Sequence, residues 1–259
     1  MKWPALPIEK VMIYTAVYGG YEARVTDLPG DIDAPAFVFT DDVDLQVGRG
    51  WQVILAEPDD HIQPNPANGD PLITLPMLRH KWWKCHPNMA AYFAGVRHSA
   101  RYDVASIWLD ANMSVTVGQF VKRNLDALGG DDWSMVRHPW RDCALDEGVY
   151  SSTLPRYDRA ALLRQVAHYR DEWKHPEHWG LMATGHCVRR HSVATFALGA
   201  EWWHHNLTWS HQDQVSLPVL MHAAAEPWAT NGNGAMLKPL RINYDLPWSK
   251  WWELRAHGS

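Results

Sequence analysis

The chain has 259 residues, 46% hydrophobic and 20% charged, with a formal net charge of −5, enough for one large globular domain and short of two well-sized ones. That balance leaves no basic footprint for nucleic acid and no polybasic membrane segment, so neither is expected as a partner. No apolar run approaches the roughly 18 residues of a spanning helix, and Met1 to Lys10 carries prolines and charges where a signal peptide needs its apolar centre, so a cytoplasmic protein without a membrane span is expected.

Cys85, Cys143 and Cys187 are odd in number and far apart, which argues for reduced, buried thiols rather than a disulfide framework or a Cys-x-x-Cys zinc site. Sixteen tryptophans and fifteen histidines stand out. Tryptophan can lay a flat apolar face on a sugar ring while its N–H finds an acceptor. The competing explanation is an aromatic core. The pairs Trp82-Trp83, Trp202-Trp203 and Trp251-Trp252 are adjacent residues that are not expected all to face one core, which favours a surface groove.

In chain order, Lys10 to Val17 is an apolar, β-branched run closed by Tyr18-Gly19-Gly20-Tyr21, a strand followed by a glycine turn. Neither a dinucleotide fingerprint nor a phosphate-loop motif accompanies it. Pro35 to Thr40 predicts a second buried strand ending at Asp41 and Asp42, and Trp51 to Ala56 a third. Asp59 to Pro71 reads as a loop, either a lid or a solvent-exposed detour. Leu72 to Val96 is helical with breaks at Pro76 and Pro87, and clusters Arg79, His80, Lys81 and Lys84 within little more than one turn. Such a cluster is either a solvated face or a means of neutralising phosphate.

Ser106 to Leu109 is a short apolar strand broken by Asp110, followed by Ala111 and Asn112. A carboxylate directly after a buried strand lies at the carboxyl edge of the sheet, where open α/β sheets bind ligands. Asp110 and Asn112 offer hard oxygens suited to Mg²⁺ or Mn²⁺. A lone Asp-x-Asn is equally compatible with a helix or turn cap. Beyond it, Gly118 to Leu128 predicts a helix, Trp133 to Val136 a strand, Ala144 to Tyr150 and Asp158 to Trp173 helices, Leu181 to Val188 an extended stretch, and Val193 to Asn206 a helix. A last helix opens in Trp209 to Leu217 with Asp213 near its start; from Ala223 onward no element is predicted. Alternating strands and helices argue for a single domain with an α/β, mainly parallel, doubly wound sheet.

The ordered motifs Ile13-Tyr14-Thr15-Ala16-Val17-Tyr18-Gly19-Gly20-Tyr21, Phe39-Thr40-Asp41-Asp42, Lys81 to Pro87, Ile107 to Asn112, His138-Pro139-Trp140-Arg141-Asp142-Cys143 with Glu147, Arg189-Arg190-His191 and Asp213-Gln214-Val215-Ser216 resemble the TOD1/MUCI70 (DUF616) glycosyltransferase-like family. The resemblance covers roughly Lys10 to Leu220. It implies a GT-A type, Rossmann-like fold that binds a nucleotide-sugar diphosphate through a divalent cation. Carried over by position, it implies Asp110 and Asn112 as metal residues, with an amide in place of the second carboxylate. Tyr14, Thr15, Ala16, Asp41 and Asp42 would line the nucleotide, with Lys81 and Lys84 on its phosphates. Arg137, His138, Arg141, Asp142 and Gln214 would face the donor sugar or acceptor, and Asp213 would be the catalytic base of an inverting enzyme.

The function implied is transfer of a sugar from a nucleotide-sugar donor, a UDP-sugar first among them, to a glycan or other hydroxyl acceptor. The alternative is a non-catalytic nucleotide-sugar or glycan-binding protein of the same fold, for which Asn112 is the best support. A zinc hydrolase is disfavoured by the absence of His-Glu-x-x-His, and a serine hydrolase by the absence of a Gly-x-Ser-x-Gly elbow. His222 and His257 are both available to complete a cation site.

Overall fold

The computed structural model describes residues 10–58, 72–96, 104–225, 242–246 and 252–255. The loop expected over 59–71 and His257 lie outside these residues.

Strands β1 (Val11–Val17), β3 (Ala36–Thr40) and β6 (Ala105–Leu109) are buried along their whole length, as runs without polar alternation require when both faces of a sheet are covered. With β5 (Gln52–Leu55), β8 (Trp133–Arg137), β9 (Met182–Arg190) and β10 (Ile242–Leu246) they form a seven-stranded sheet in the order β10-β8-β9-β6-β1-β3-β5. β1 pairs in parallel with both β3 and β6, β3 with β5, and β8 with β10. Only β9 runs antiparallel, between β6 and β8. The mainly parallel, helix-flanked sheet that the sequence predicts is therefore the fold observed.

The chain leaves β1 outward to β3 on one side and returns to β6 on the other. That reversal makes a switch point at the carboxyl ends of β1 and β6, where sheets of this kind usually leave a ligand crevice.

Alternate residues of each strand feed opposite cores. Met12, Tyr14 and Ala16 join Trp83, Trp108, Trp133, Leu198 and Trp202 under helices α1 (Leu75–Cys85), α6 (Val193–Thr208) and α7 (Asp213–Ala225). Val11 and Ile13 join Ile107, Leu109, Phe120 and Leu128 under α3 (Phe120–Leu128). Helix α2 (Pro87–Phe93) continues from α1, broken by Pro87, and α4 (Ala144–Ser151) with α5 (Arg159–Asp171) precedes β9.

The tryptophan pairs correct one expectation. Trp83 and Trp202 are wholly buried, while Trp82 and Trp203 pack against the same clusters, partly buried. Neighbouring positions on a helix differ by about 100° in direction. A helix wedged between a sheet and another helix, as α1 is between β1 and α6, can therefore bury both. Trp251 lies outside the described residues. All three cysteines are free and buried.

Short elements escaped the sequence pattern. The bridges β2 (Arg24–Val25) and β4 (Gln46–Val47) pair with each other. β7 (Met113–Val115) pairs antiparallel with β11 (Trp252–Leu254), and β10 extends the main sheet beside β8.

Helices α1 and α6 meet at Gly199, where an added Cβ would lie 2.1 Å from the Cys85 carbonyl oxygen. Alanine in a helix is intrinsically favoured over glycine by about 1 kcal/mol, but a backbone oxygen at that distance cannot yield without separating the helices. Gly199→Ala is expected to lower stability by about 1–3 kcal/mol in urea unfolding; an unchanged or raised midpoint would show that α1 and α6 do not approach this closely.

Candidate active site

The crevice is built from four pieces of chain that are distant in sequence. Asp110 is the first residue beyond β6, and its N–H donates to the Gly185 carbonyl of β9 at 2.8 Å. Because β9 runs antiparallel, its Thr184-Gly185 pair passes alongside the end of β6, where Leu109 registers with His186. A side chain at Gly185 would place its Cβ 3.0 Å from Asp110 Oδ2 and 3.2 Å from Met113 Sδ. Glycine lets the carboxylate lie close against β9, where a larger residue would push it aside.

Helix α1 contributes Lys81 and Lys84. Pro76 near its start suits a first turn, where the missing N–H has no partner to lose. Spaced by three, the lysines share one face. Lys84 Nζ lies 3.2 Å from Asp110 Oδ1 and 2.9 Å from Asp213 Oδ2, and 3.3 Å from Thr184 Oγ1. Lys81 Nζ lies 2.6 Å from Asp213 Oδ2. Asp213 opens α7, its Oδ1 accepting from Thr184 Oγ1 at 3.0 Å, and its carbonyl accepts from Trp202 Nε1 at 3.2 Å. Asp110 Oδ1 also accepts from Trp108 Nε1 at 2.8 Å.

Burial decides how these charges behave. The Lys84 side chain is 1% exposed and Asp213 4%, against 16% for Lys81 and 34% for Asp110. Burial alone would raise both carboxyl pKa values, but Lys81 and Lys84 hold Asp213 far below the ordinary carboxylate value, and the lysines, Lys84 first, hold Asp110 below it. Burial opposes the Lys84 charge too, and the two carboxylates overcome it, so its pKa is raised. His80 donates or accepts at Nδ1 with the Ala16 carbonyl at 2.9 Å; burial and Lys81 lower its pKa to about 4, so the ring is neutral at pH 7. Two ammoniums and two carboxylates thus balance in one crevice.

The remaining expected residues are spread over strand β1, the turn after β3, the end of β8 and the segment beyond it, helix α7 and the loop after β6. Tyr14 and Thr15 lie inside the sheet with no exposed surface; the Tyr14 hydroxyl donates to the Trp83 carbonyl at 3.2 Å and meets Arg189. Ala16 reaches the site only through its carbonyl. Asp41 accepts from Gly19 N at 3.2 Å and sits 3.5 Å from Arg79, which also pairs with Glu57, so it fixes the glycine turn after β1. Asp42 accepts from Asp44 N in its own turn.

Arg137, the last residue of β8, is exposed, and beyond it His138 Nδ1 accepts from Trp140 N and Arg141 N at 3.4 and 3.1 Å. Arg141 pairs with the buried Glu147 and covers the Tyr150 ring at 4.1 Å. Asp142 pairs with His178 at 2.8 Å, and Gln214 is half-buried on α7. Asn112 is 7% exposed; its Nδ2 donates to the Arg255 carbonyl at 3.3 Å and its carbonyl accepts from Arg255 N at 2.9 Å. The amide therefore ties the end of β11 to the loop bearing Asp110.

His222 sits beside His175 and Trp179, at ring distances of 5.2 and 5.4 Å.

The site holds groups that sequence reasoning did not single out. Thr184 and Gly185 give no local signal, since only the antiparallel return of β9 brings them to Asp110. Gln212 donates to Glu147 Oε1 at 3.0 Å and to Ser151 Oγ at 2.9 Å, anchoring the start of α7 to α4. Tyr157 lies against His211 at 4.7 Å, with the Arg156 guanidinium over its ring.

Asp110 is a hard carboxylate, 34% exposed, and Asn112 offers an amide oxygen two residues on. That suits Mg²⁺ or Mn²⁺, which take one or two protein oxygens and complete their shell with phosphate and water. Cys143, Asp146 and His178 form a separate group whose ligand atoms lie within 4.8 Å of one another, with Asp146 and His178 exposed. Its sulfur and nitrogen suit a softer ion.

No protein-family model matches the sequence, and no curated protein matches it. Solved structures similar to it include core-mannan synthase A (CmsA/Ktr4) of Aspergillus fumigatus in its Mn/GDP form, 10% identical over 91% of this chain and 72% of that one, with a TM-score of 0.39. Another is the mannosyltransferase Ktr4p of S. cerevisiae in complex with GDP, 11% identical over 78% of this chain and 67% of that one, with a TM-score of 0.26. At these scores the likeness fixes neither substrate nor chemistry. Among the described residues no helix is long and apolar enough to cross a membrane.

Removing Asp213 leaves two lysines facing one carboxylate. Asp213→Ala is expected to cost about 3–5 kcal/mol in denaturant unfolding, and a loss below about 1 kcal/mol, the level of exposed pairs, would show the cluster to be solvated.

Next to Gly185, His186 is 1% exposed, and burial lowers its pKa to about 3. The unfolded chain, with an ordinary value near 6.5, binds the proton first, so this stabilisation is present above about pH 6.5 and lost as pH falls towards 3. Unfolding free energy should decline from pH 7 to pH 5, less steeply in His186→Gln, by up to about 1.4 kcal/mol per pH unit. Equal slopes would remove His186 as a contributor.

Proposed function

We propose that this protein is a glycosyltransferase that takes a nucleotide-sugar donor and a divalent cation, Mn²⁺ or Mg²⁺, into the crevice at the ends of β1 and β6. The observation that carries the reading is the pair of lysines held by Asp213 beside Asp110 at the switch point of the sheet. Glycosyl transfer leaves growing negative charge on the departing diphosphate, and fixed cationic groups in a partly dry crevice stabilise it without reorganising. Lys81, with some exposure, and Lys84, beneath it, supply that charge from one helix face.

Asp110 and Asn112 would hold the cation, whose contribution when bound is Lewis-acid neutralisation of the diphosphate. Asp213 has both oxygens engaged by Thr184, Lys81 and Lys84, so we assign it to positioning the lysines rather than to proton abstraction. Arg137, His138, Arg141, Asp142 and Gln214 are assigned to the sugar and acceptor side. There Trp140, 74% exposed, offers an apolar face to a sugar ring. The acceptor is a glycan or another hydroxyl compound.

Calorimetry with ADP, CDP, GDP and UDP, with and without Mn²⁺, tests the reading. Binding of at least one nucleotide is expected, followed by slow release of free sugar from the matching nucleotide sugar, beginning with UDP-sugars. Asp110→Ala should lower that release by about 100-fold or more, on the scale of losing one transition-state contact. No nucleotide binding under any condition would refute the proposal.

A further inference from the structure

We propose that Lys84 is a built-in counter-ion that competes with the divalent cation for Asp110, so that cation and diphosphate bind this crevice strongly only together. The inference rests on the nucleotide-sugar reading above and concerns how that site is loaded.

The geometry leaves Lys84 little freedom. Its ammonium lies between Asp110, Asp213 and Thr184, with the Trp108 and Trp202 rings 5.6 and 6.0 Å away. Its own carbonyl is held by Arg189. At 1% exposure it cannot turn out to water, and a buried ammonium must keep an anionic partner. Asp110 Oδ1 is already shared by Lys84 and Trp108 Nε1. A cation on Oδ2 would therefore draw on a carboxylate whose charge is already in use.

Charge balance sets the consequence. Lys81 and Lys84 against Asp110 and Asp213 leave no formal net charge, and His80 is neutral. A divalent cation alone adds uncompensated positive charge and leaves two ammoniums to share Asp213. A diphosphate alone adds uncompensated negative charge. Bound together they nearly cancel, and phosphate oxygens replace Asp110 as partners of Lys84. Each ligand should therefore raise the affinity of the other by the same factor, as linkage requires. The amide at Asn112 fits this arrangement, because a second carboxylate would bind the cation without waiting for the diphosphate.

The test is Mn²⁺ binding followed by electron paramagnetic resonance, with the intact protein alone and with saturating UDP, GDP, ADP or CDP. The expected result is Mn²⁺ binding tightened roughly tenfold or more by the accepted diphosphate, with the diphosphate affinity raised equally by Mn²⁺. Lys84→Met should bind Mn²⁺ alone more tightly than the wild type does and show a smaller enhancement. Mn²⁺ affinity indifferent to the diphosphate in the wild-type protein overturns the proposal whether or not the variant folds, as does a folded Lys84→Met with the full enhancement. A diphosphate that binds without responding to Mn²⁺ overturns this inference alone; failure of every diphosphate to bind overturns the functional reading as well.

Discussion

The site depends on one interaction: a buried lysine ammonium, Lys84, shared between the carboxylates of Asp110 and Asp213. Four separate elements meet at that nitrogen, namely the end of β6, the strand β9, the last turn of α1 and the first turn of α7. Burying such a group is costly unless every charge is answered, so the surroundings must deliver their partners accurately. Much of the local structure can be read as meeting that requirement. Trp108 and Thr184 donate to the two carboxylates, Gly185 makes room for Asp110, and Trp202 secures the backbone of Asp213.

The fold explains why this happens at the carboxyl edge of the sheet. A parallel sheet that reverses its winding between β1 and β6 leaves the ends of those strands uncovered by a crossover helix. The single antiparallel strand, β9, then returns along β6 and brings Thr184 and Gly185 to the same edge. The dense aromatic packing beneath, with Tyr14 edge-on to Trp108 and Phe39 stacked on Trp83, makes a rigid floor. Trp83, Trp108, Trp133 and Trp202 serve the core under α1 and α6, while Trp140, after β8, is left at the surface.

Much of this is legible in the residues. The apolar runs at Lys10 to Val17, Pro35 to Thr40 and Ser106 to Leu109 read as buried strands, and a carboxylate immediately after the last one lies at the edge of the sheet. Lys81 and Lys84 are visible as a basic cluster, though nothing local tells a solvated face from a phosphate clamp; their burial and long-range pairing with Asp213 exclude the solvated face. Thr184, Gly185 and the strands Ile242–Leu246 and Trp252–Leu254 are illegible because their placement comes from a distant partner strand. The adjacent tryptophans misled for the opposite reason: adjacency describes the helix, while burial depends on how many sides of that helix are covered. Tyr14 and Thr15 carry polar groups in a strand that is interior throughout, so their chemistry serves the sheet.

The central claim, that the Lys81–Lys84–Asp110–Asp213 crevice receives a nucleoside diphosphate, is tested most directly by a crystal structure of the protein grown with Mn²⁺ and UDP, or with whichever nucleoside diphosphate it binds. The account predicts phosphate oxygens within hydrogen-bond distance of both lysine Nζ atoms, the cation on Asp110 and the Lys84–Asp110 contact lengthened. A nucleotide bound elsewhere, with that contact unchanged, would contradict it.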